Sequence, residues 1–310
     1  MRVKVLGSAA GGGFPQWNCA CENCARFRRG VFNGRARSQT QVAVSTSPSA
    51  WVLLNASPDL RQQILADPEL APRAEGRTTP IAAIILTSAD VDCVIGLLHL
   101  REFQPLRVFS TPSVRRVLVE ENSMFRTLER SSPPIRWEDL RFDRPVPVLS
   151  QSTSGVGTSL SCQAVPLGGS FPDFVSDGLR KSLREGEAVV GLQLTESGKK
   201  FFYAPSLSGL GINWKKSIAA SNLALLDGTF WTDDELPRIL GTARTAREMG
   251  HLPLSGPGGL LDELRGTSGP RRVLIHLNNT NPALDEESSS FRSLRDSGWE
   301  IAYDGMEFTL

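Results

Sequence analysis

Three observations predict an α/β or α+β chain with helices packed outside sheets. Short β-branched or aliphatic runs recur along all 310 residues, helical patterns fall between some of them, and 40% hydrophobic with 22% charged residues is ordinary globular chemistry. Strand patterns occupy 3–6, 41–45, 51–55, 81–86, 107–109, 160–165, 188–194, 200–203, 223–226, 272–275, 299–303 and 307–310. Helical patterns occupy 58–66, 94–103, 113–130, 232–249, 258–264 and 288–297. The runs Ile81-Ala-Ala-Ile-Ile-Leu86 and Leu223-Ala-Leu-Leu226 are continuous, as in strands buried on both faces. Residues 150–159, rich in Ser, Thr and Gly, read as a loop. So do 166–177, where Gly168, Gly169 and Pro172 suit a flap. Neither has the composition of a linker, so one compact unit over 1–310 is expected.

A net charge of +1 offers no bulk attraction to nucleic acid, and no apolar stretch approaches the ~18 residues that span a bilayer. Five cysteines are an odd number for disulfides, and the opening Met-Arg-Val-Lys-Val-Leu-Gly is too short an apolar run for a signal peptide. A soluble cytoplasmic protein without nucleic-acid or membrane partners is expected.

Three of those cysteines, Cys19, Cys21 and Cys24, follow the glycine-rich opening Gly7-Ser-Ala-Ala-Gly-Gly-Gly-Phe-Pro-Gln-Trp-Asn18. Thiolates at that spacing converge on one soft ion, and tetrahedral zinc then takes a fourth ligand from elsewhere. Redox or incidental cysteines are the alternative. The glycines lack the ending of a P-loop and the spacing of a dinucleotide fingerprint. The basic stretch 26–37 reads as a solvated face or a grip for phosphate or carboxylate.

Of the three histidines, His251 and His276 stand at element ends beside turn-forming residues. Two apolar strands run into carboxylates, the first into Asp90, Asp92 and Cys93, the second into Asp227. Taken singly, Asp92 reads as a helix N-cap and Asp227 as an Asx-turn. Together with the histidines they suggest a metal. Two histidines and one of Asp92 or Asp227 make the set that suits non-haem iron, whereas a two-zinc hydrolytic site needs more histidines than this chain has. His99, seven residues beyond Asp92, falls about 10 Å away along a helix.

The order of these segments, a strand followed by Thr-x-x-x-x-Asp-x-x-x-Gly-Leu, then Asp-Gly-Thr-Phe, Gly-His and a strand ending in His, resembles the metallo-β-lactamase superfamily from Val3 onward. More narrowly, the glycine-cysteine opening, Leu54-Asn-Ala-Ser-Pro-Asp59, Arg61-Gln-Gln63, Gly241-Thr242, Met249-Gly-His251 and His276-Leu-Asn-Asn-Thr-Asn-Pro282 resemble the B family of pyrroloquinoline quinone (PQQ) biosynthesis. The resemblance implies an αββα four-layer sandwich of two related halves, roughly 1–155 and 156–310. It implies iron-dependent hydroxylation of the tyrosine-derived ring of a crosslinked Glu-Tyr precursor, a small peptide-derived quinone precursor being the partner. A carrier of the cofactor or a precursor, with a degenerate metal centre, is the alternative, and a homodimer is compatible with either.

The superfamily signature falls on Ser88, Asp90, Asp92 and Cys93, then Asp227, His251 and His276. Catalytic roles are implied for Asp92, Asp227, His251 and His276, and cleft-metal ligation, by Fe2+ or another divalent ion, for these with Asp90 and Cys93. The family has His at the position of Cys93, so the sequence departs from it there. The resemblance casts Cys19, Cys21 and Cys24 as a structural Zn2+ site, completed by Asn279, three residues past His276. The substrate's carboxylates would find cations in Arg61 or the pair Arg35 and Arg37, for which surface ion pairing is the other reading.

Overall fold

A computed structural model describes all residues but 48, 103–105, 131–134, 150–158, 210–211, 242–243 and 268. The loop expected over 150–159 lies almost wholly outside the described residues, as do Phe103, Thr242 and the expected boundary between halves. The strands are β1 (Arg2–Gly7), β2 (Gln41–Ser47), β3 (Ala50–Leu54), β4 (Ile81–Ile85), β5 (Arg107–Ser110), β6 (Arg136–Asp139), β7 (Val146–Leu149), β8 (Leu160–Pro166), β9 (Val190–Glu196), β10 (Lys199–Ala204), β11 (Leu223–Asp227), β12 (Arg271–Ile275), β13 (Trp299–Ile301) and β14 (Glu307–Thr309). The α-helices are α1 (Glu22–Arg28), α2 (Leu60–Ala66), α3 (Val91–Val94), α4 (Pro112–Arg116), α5 (Asp177–Arg180), α6 (Ile212–Ala219), α7 (Glu235–Leu240), α8 (Leu260–Glu263) and α9 (Ser289–Asp296).

Two seven-stranded mixed sheets form, in the orders β14-β1-β2-β3-β4-β5-β6 and β13-β12-β11-β10-β9-β8-β7. In each, antiparallel pairing on one side gives way to parallel pairing, from β3 to β6 in the first and from β10 to β13 in the second. The period of two along each strand explains the layers. Val52, Leu54, Ala83, Ile85, Leu223, Leu225, Val273 and Ile275 point into a core between the sheets. Their neighbours Trp51, Leu53, Ile84, Ala224, Leu226 and Leu274 point outward, where Leu60, Val94, Val114, Trp214, Leu260 and Leu294 of the helices cover them. The αββα sandwich implied by the resemblance is therefore the fold. Among the described residues no helix is long and apolar enough to cross a membrane.

All twelve expected strands form, with ends moved by one or two residues. Two further strands, β6 and β7, are short, and each ends a sheet. An edge strand has no need of a continuous apolar run: β6 is half-exposed Arg-Trp-Glu-Asp and β7 carries Pro147. The single helix expected over 113–130 is α4, then a π-helical turn at Val117–Glu121, then a 3-10 helix at Ser123–Glu129. The break comes at Asn122, whose side chain donates to the carbonyl of Val117 at 2.9 Å. The helix expected over 232–249 is cut short as α7, because Gly241 adopts φ +66° and caps it in the left-handed region.

What positions the cleft is the set of parallel strand ends. Past β4 the chain turns through Thr87 into α3, and Gly96 lies against the loop that leaves β3: its N–H donates to Ala56 O at 2.9 Å, and Ala56 N–H donates to Cys93 O at 2.7 Å. A Cβ on Gly96 would lie 2.2 Å from Ser57 O and 2.8 Å from Ala56 O. Only glycine lets these backbones meet. Gly96→Ala should therefore lower stability by about 3 kcal/mol, read as a fall in denaturant midpoint at constant slope. An unchanged midpoint would refute this account of the Asp-x-x-x-Gly spacing.

Candidate metal centres

Asp227, at the carboxyl end of β11, is fully buried, and both its oxygens are engaged. Oδ1 accepts from Thr229 N at 3.0 Å and Thr229 Oγ1 at 2.6 Å, and Oδ2 accepts from Leu207 N at 2.8 Å and meets His251 Nδ1 at 2.8 Å. The Asx-turn read for it alone is thus real, and it occupies one oxygen only. Burial opposes ionisation of this carboxyl, but the charge and hydrogen bond of His251, with His276 and Thr229, outweigh burial and hold it below the usual range. His251 shifts reciprocally: burial would lower it, and Asp227, Asp92 and Asp90 raise it.

His276 follows β12 in left-handed backbone, φ +63°. Its Nδ1 lies 2.8 Å from Thr229 Oγ1 and its Nε2 3.0 Å from Asp92 Oδ2. The Thr229 hydroxyl proton goes to Asp227, so Thr229 receives from the imidazoles and His276 carries its proton on Nδ1. Nε2 faces the Asp92 carboxylate, so either a proton on Nε2 or a cation between the two atoms satisfies the pair. The rings of His251 and His276 stack, with centroids 5.3 Å apart and planes at 23°. Asp227, His251 and His276 have ligand atoms within 4.8 Å of one another. Asp227 orients His251, and Asp92 is the carboxylate that meets His276 Nε2.

The N-cap reading of Asp92 does not hold: Asp90 precedes α3, with no side-chain capping bond, and Asp92 sits in the first turn. Asp90 Oδ2 accepts from Ser88 Oγ at 2.8 Å, and its carboxyl is raised by burial, then by Asp92. Cys93 Sγ lies 3.9 Å from Thr87 Oγ1, and burial, followed by the two aspartates, pushes its thiol well up. Absent a cation it stays protonated.

Asp90, Asp92, Cys93, His251 and His276 line one cleft of about 430 Å³, with Gly11 of the glycine loop and Met249. An adjoining recess of about 540 Å³ shares Asp90, Val91, Ser206 and Met249 and is walled by Gly169 to Phe174 of the flap. His99 is exposed and lines neither. The expected arginine anchors need correction. Arg61 is exposed and lines neither space, and Arg35 and Arg37 line a separate pocket with Tyr303. Side-chain charge carries no information about which face of the fold a residue joins.

The cysteine sulfurs lie within 4.8 Å of one another. Cys24 is buried in the first turn of α1, and the Cys19 and Gln16 carbonyls are held by Arg28. The amide Nδ2 of Asn279 reaches Cys19 Sγ at 3.1 Å, Cys21 Sγ at 3.4 Å and Cys24 Sγ at 3.5 Å. One amide end thus stands over a triangle of sulfurs, the fourth corner of a tetrahedron. A half-turn of the amide exchanges nitrogen for oxygen at that corner and presents a ligand atom. Burial opposes ionisation of Cys19, but bonds from the Cys21 backbone and its neighbours hold it below the thiol range, while burial, then the other sulfurs, push Cys21 up to about 12. Three sulfurs this close can all be thiolates only with a cation among them, so the donor set fits zinc.

Sequence reasoning missed the residues that brace these sites. Asn55, φ +68°, accepts from Thr87 N at 2.9 Å and Oγ1 at 3.0 Å, fixing the turn into Asp90. Buried Glu235 accepts from Thr280 Oγ1 at 2.5 Å and from Trp231 N at 2.6 Å, beside Asn279. The unusual positive φ of Asn55 and His276 was not legible, although Asn is among the residues that tolerate it best.

The chain is similar to known proteins along its whole length. Residues 50–277 match the model of the Beta-lactamase superfamily domain. Coenzyme PQQ synthesis protein B of Methylococcus capsulatus is 41% identical over 317 residues and that of an Azoarcus species 43% over 318, with 100% of each chain covered. The 1.98 Å crystal structure of zinc-bound PqqB from Methylobacterium extorquens superposes with a TM-score of 0.89 at 36% identity, covering 100% of both chains.

Asn279→Ala should let a colorimetric chelator remove zinc from the cysteine cluster about tenfold faster, with the fold retained; equal rates would exclude Asn279 from the site. Burial outweighs the hydrogen bonds from Thr280 and Trp231, which act the other way, and raises Glu235 to about 7 from 4.5. Between those values the folded state holds a proton that the unfolded chain has released. The contribution is complete below the ordinary carboxyl pKa and is lost as pH rises through about 7. Glu235→Gln should therefore remove about 3 kcal/mol of the fall in stability between about pH 5 and pH 8, measured by urea unfolding across that range.

Proposed function

Because this chain belongs to the beta-lactamase superfamily and, within it, to the family of coenzyme PQQ synthesis protein B, we propose that it serves synthesis of that coenzyme as an iron-dependent hydroxylase of a crosslinked Glu-Tyr precursor. The observation that carries the reading is the donor set: two imidazoles and the Asp92 carboxylate converge on one side, with Cys93 at their edge and no further histidine lining the cleft. Two histidines and one carboxylate leave positions open for dioxygen and substrate, which is what a ferrous ion needs to activate oxygen.

The chain's own residues do the positioning. Asp227 and Thr229 hold the His251 ring by Nδ1, which leaves Nε2 for the ion. Thr229 holds His276 in the same way, and Asp92 meets its Nε2. Pro58, Val91, Pro205 and Met249 give the cleft apolar wall against which a phenol ring can lie and from which water is displaced. The adjoining recess extends the space toward the flap, so the substrate's acidic part has somewhere to go while its ring faces the ion.

Protein loaded anaerobically with Fe(II) should consume oxygen when the precursor is added. Asp92→Ala should abolish iron binding at the cleft, and Asp227→Asn should retain iron yet slow turnover by about 10- to 100-fold through the loosened His251. A folded, iron-loaded protein that binds the precursor and consumes no oxygen would overturn the hydroxylase and leave a carrier.

A further inference from the structure

One basic side chain reaches the recess that adjoins the metal cleft. Among the described residues lining either space, Arg244 is the sole lysine or arginine, set against the carboxylates of Asp90, Asp92, Asp173 and Glu248. Its Nη2 donates to Asp173 Oδ2 of the flap at 3.2 Å, and both side chains are more than half exposed. An ion pair so open to water is weakly held, because solvent screens it and two side chains give up freedom to form it. The pair does not shape either loop. On one side, Thr245 and Glu248 cap the turn Arg247–Met249 reciprocally, Thr245 N donating to Glu248 Oε2 at 2.8 Å and Glu248 N to Thr245 Oγ1 at 3.3 Å. On the other, Arg180 donates to the carbonyls of Phe171 at 3.0 Å and Pro172 at 2.8 Å, and Val175 N–H donates to Pro172 O at 3.0 Å.

Each loop is thus held from within, and the Arg244–Asp173 pair spans the gap between two finished surfaces. Glu248 is committed to Thr245, and Asp90 accepts from Ser88 at 2.8 Å, so Asp173 is the carboxylate that can leave the guanidinium without unmaking its surroundings. An acidic ligand entering past Asp90, Asp92 and Glu248 is repelled unless a cation receives it. We propose that Arg244 sets a preference for acidic ligands by exchange: a carboxylate borne on the side chain of a phenol takes the place of Asp173 on the guanidinium while the ring lies in the cleft. Asp173 is then a built-in competitor, which holds the guanidinium ready and subtracts from the affinity an acid would otherwise have. This exchange deepens the proposed activity and rests on it for the place of the ring against Val91, Pro205 and Met249, yet it is read in binding and not in oxygen consumption.

Calorimetric titration of the zinc-loaded protein with 3-(4-hydroxyphenyl)propionate and with its neutral amide tests the exchange. The acid should bind about tenfold more tightly than the amide. Arg244→Ala should remove that preference by weakening the acid alone. Asp173→Asn should move the other way, binding the acid several-fold more tightly and the amide as the parent does. Opposite effects from the two partners of one ion pair cannot come from lost stability, which would weaken both ligands in both variants. No binding of the acid by the folded parent, equal binding of acid and amide, a preference that survives Arg244→Ala, as it would if the acid sat on the metal ion, or weaker binding of the acid by Asp173→Asn would each overturn the proposal. An acid preference that follows Arg244 in a protein that consumes no oxygen with the precursor would support the exchange and overturn the hydroxylase alone.

Discussion

The left-handed turn at His276 is the constraint on which both donor clusters depend. It ends β12 and sends residues 277–281 back across the sandwich edge, where Leu277 N–H donates to Ser8 O and its own carbonyl accepts from Ala10 N–H. Those bonds fasten the glycine opening beside the cleft. Three residues on, Asn279 reaches the cysteine sulfurs, and Asn281 Nδ2 donates back to Gly228 O at 2.8 Å. Asn279, Thr280 and Asn281 are all buried and all hydrogen-bonded, so the segment has little freedom to shift one cluster without the other.

The second organising feature is electrostatic. A fully buried carboxylate survives as an ion at Asp227 because four donors converge on two oxygens and two imidazoles lie beside it. The same bonds fix the carboxylate in place beside the two rings. Hydrogen bonds thus orient both rings of the cleft, whereas the cysteine cluster sets three thiols against one another, Cys19 held below the ordinary thiol range and Cys21 raised by burial.

How much of this was legible in the sequence depended on how local the cause was. Interior strands such as β4 and β11 announce themselves because both faces are buried, while β6 and β7, at sheet ends, obey no such demand. Periodicity revealed α2, α4, α7, α8 and α9 but not α1, α5 or α6, and the helix expected over 94–103 is in its described part mostly a 3-10 helix, Ile95–Leu100. The interruptions at Asn122 and Gly241 could not be read from it, since one rests on a single side-chain bond and the other on one residue's φ. Asp92, Asp227, His251, His276, the cysteines and Asn279 were recognisable by residue type and place at strand ends. Thr229, Asn55 and Glu235 were not, for their importance lies in contacts with residues 32 to 47 positions away.

Strand β14 has a bearing on how the molecule comes into being. Phe308 pairs with Val3, so the last strand in order completes the sheet that the first strand began. The outer side of β1 thus finds its partner only across the whole of the second sheet in chain order. The imidazole of His276 and the amide of Asn279 come nearly as late in that order. A sheet whose border is closed by so distant a partner, and donor clusters whose members lie far apart in the chain, are assembled late in folding, since the cost of closing such long loops must be met before the contacts form.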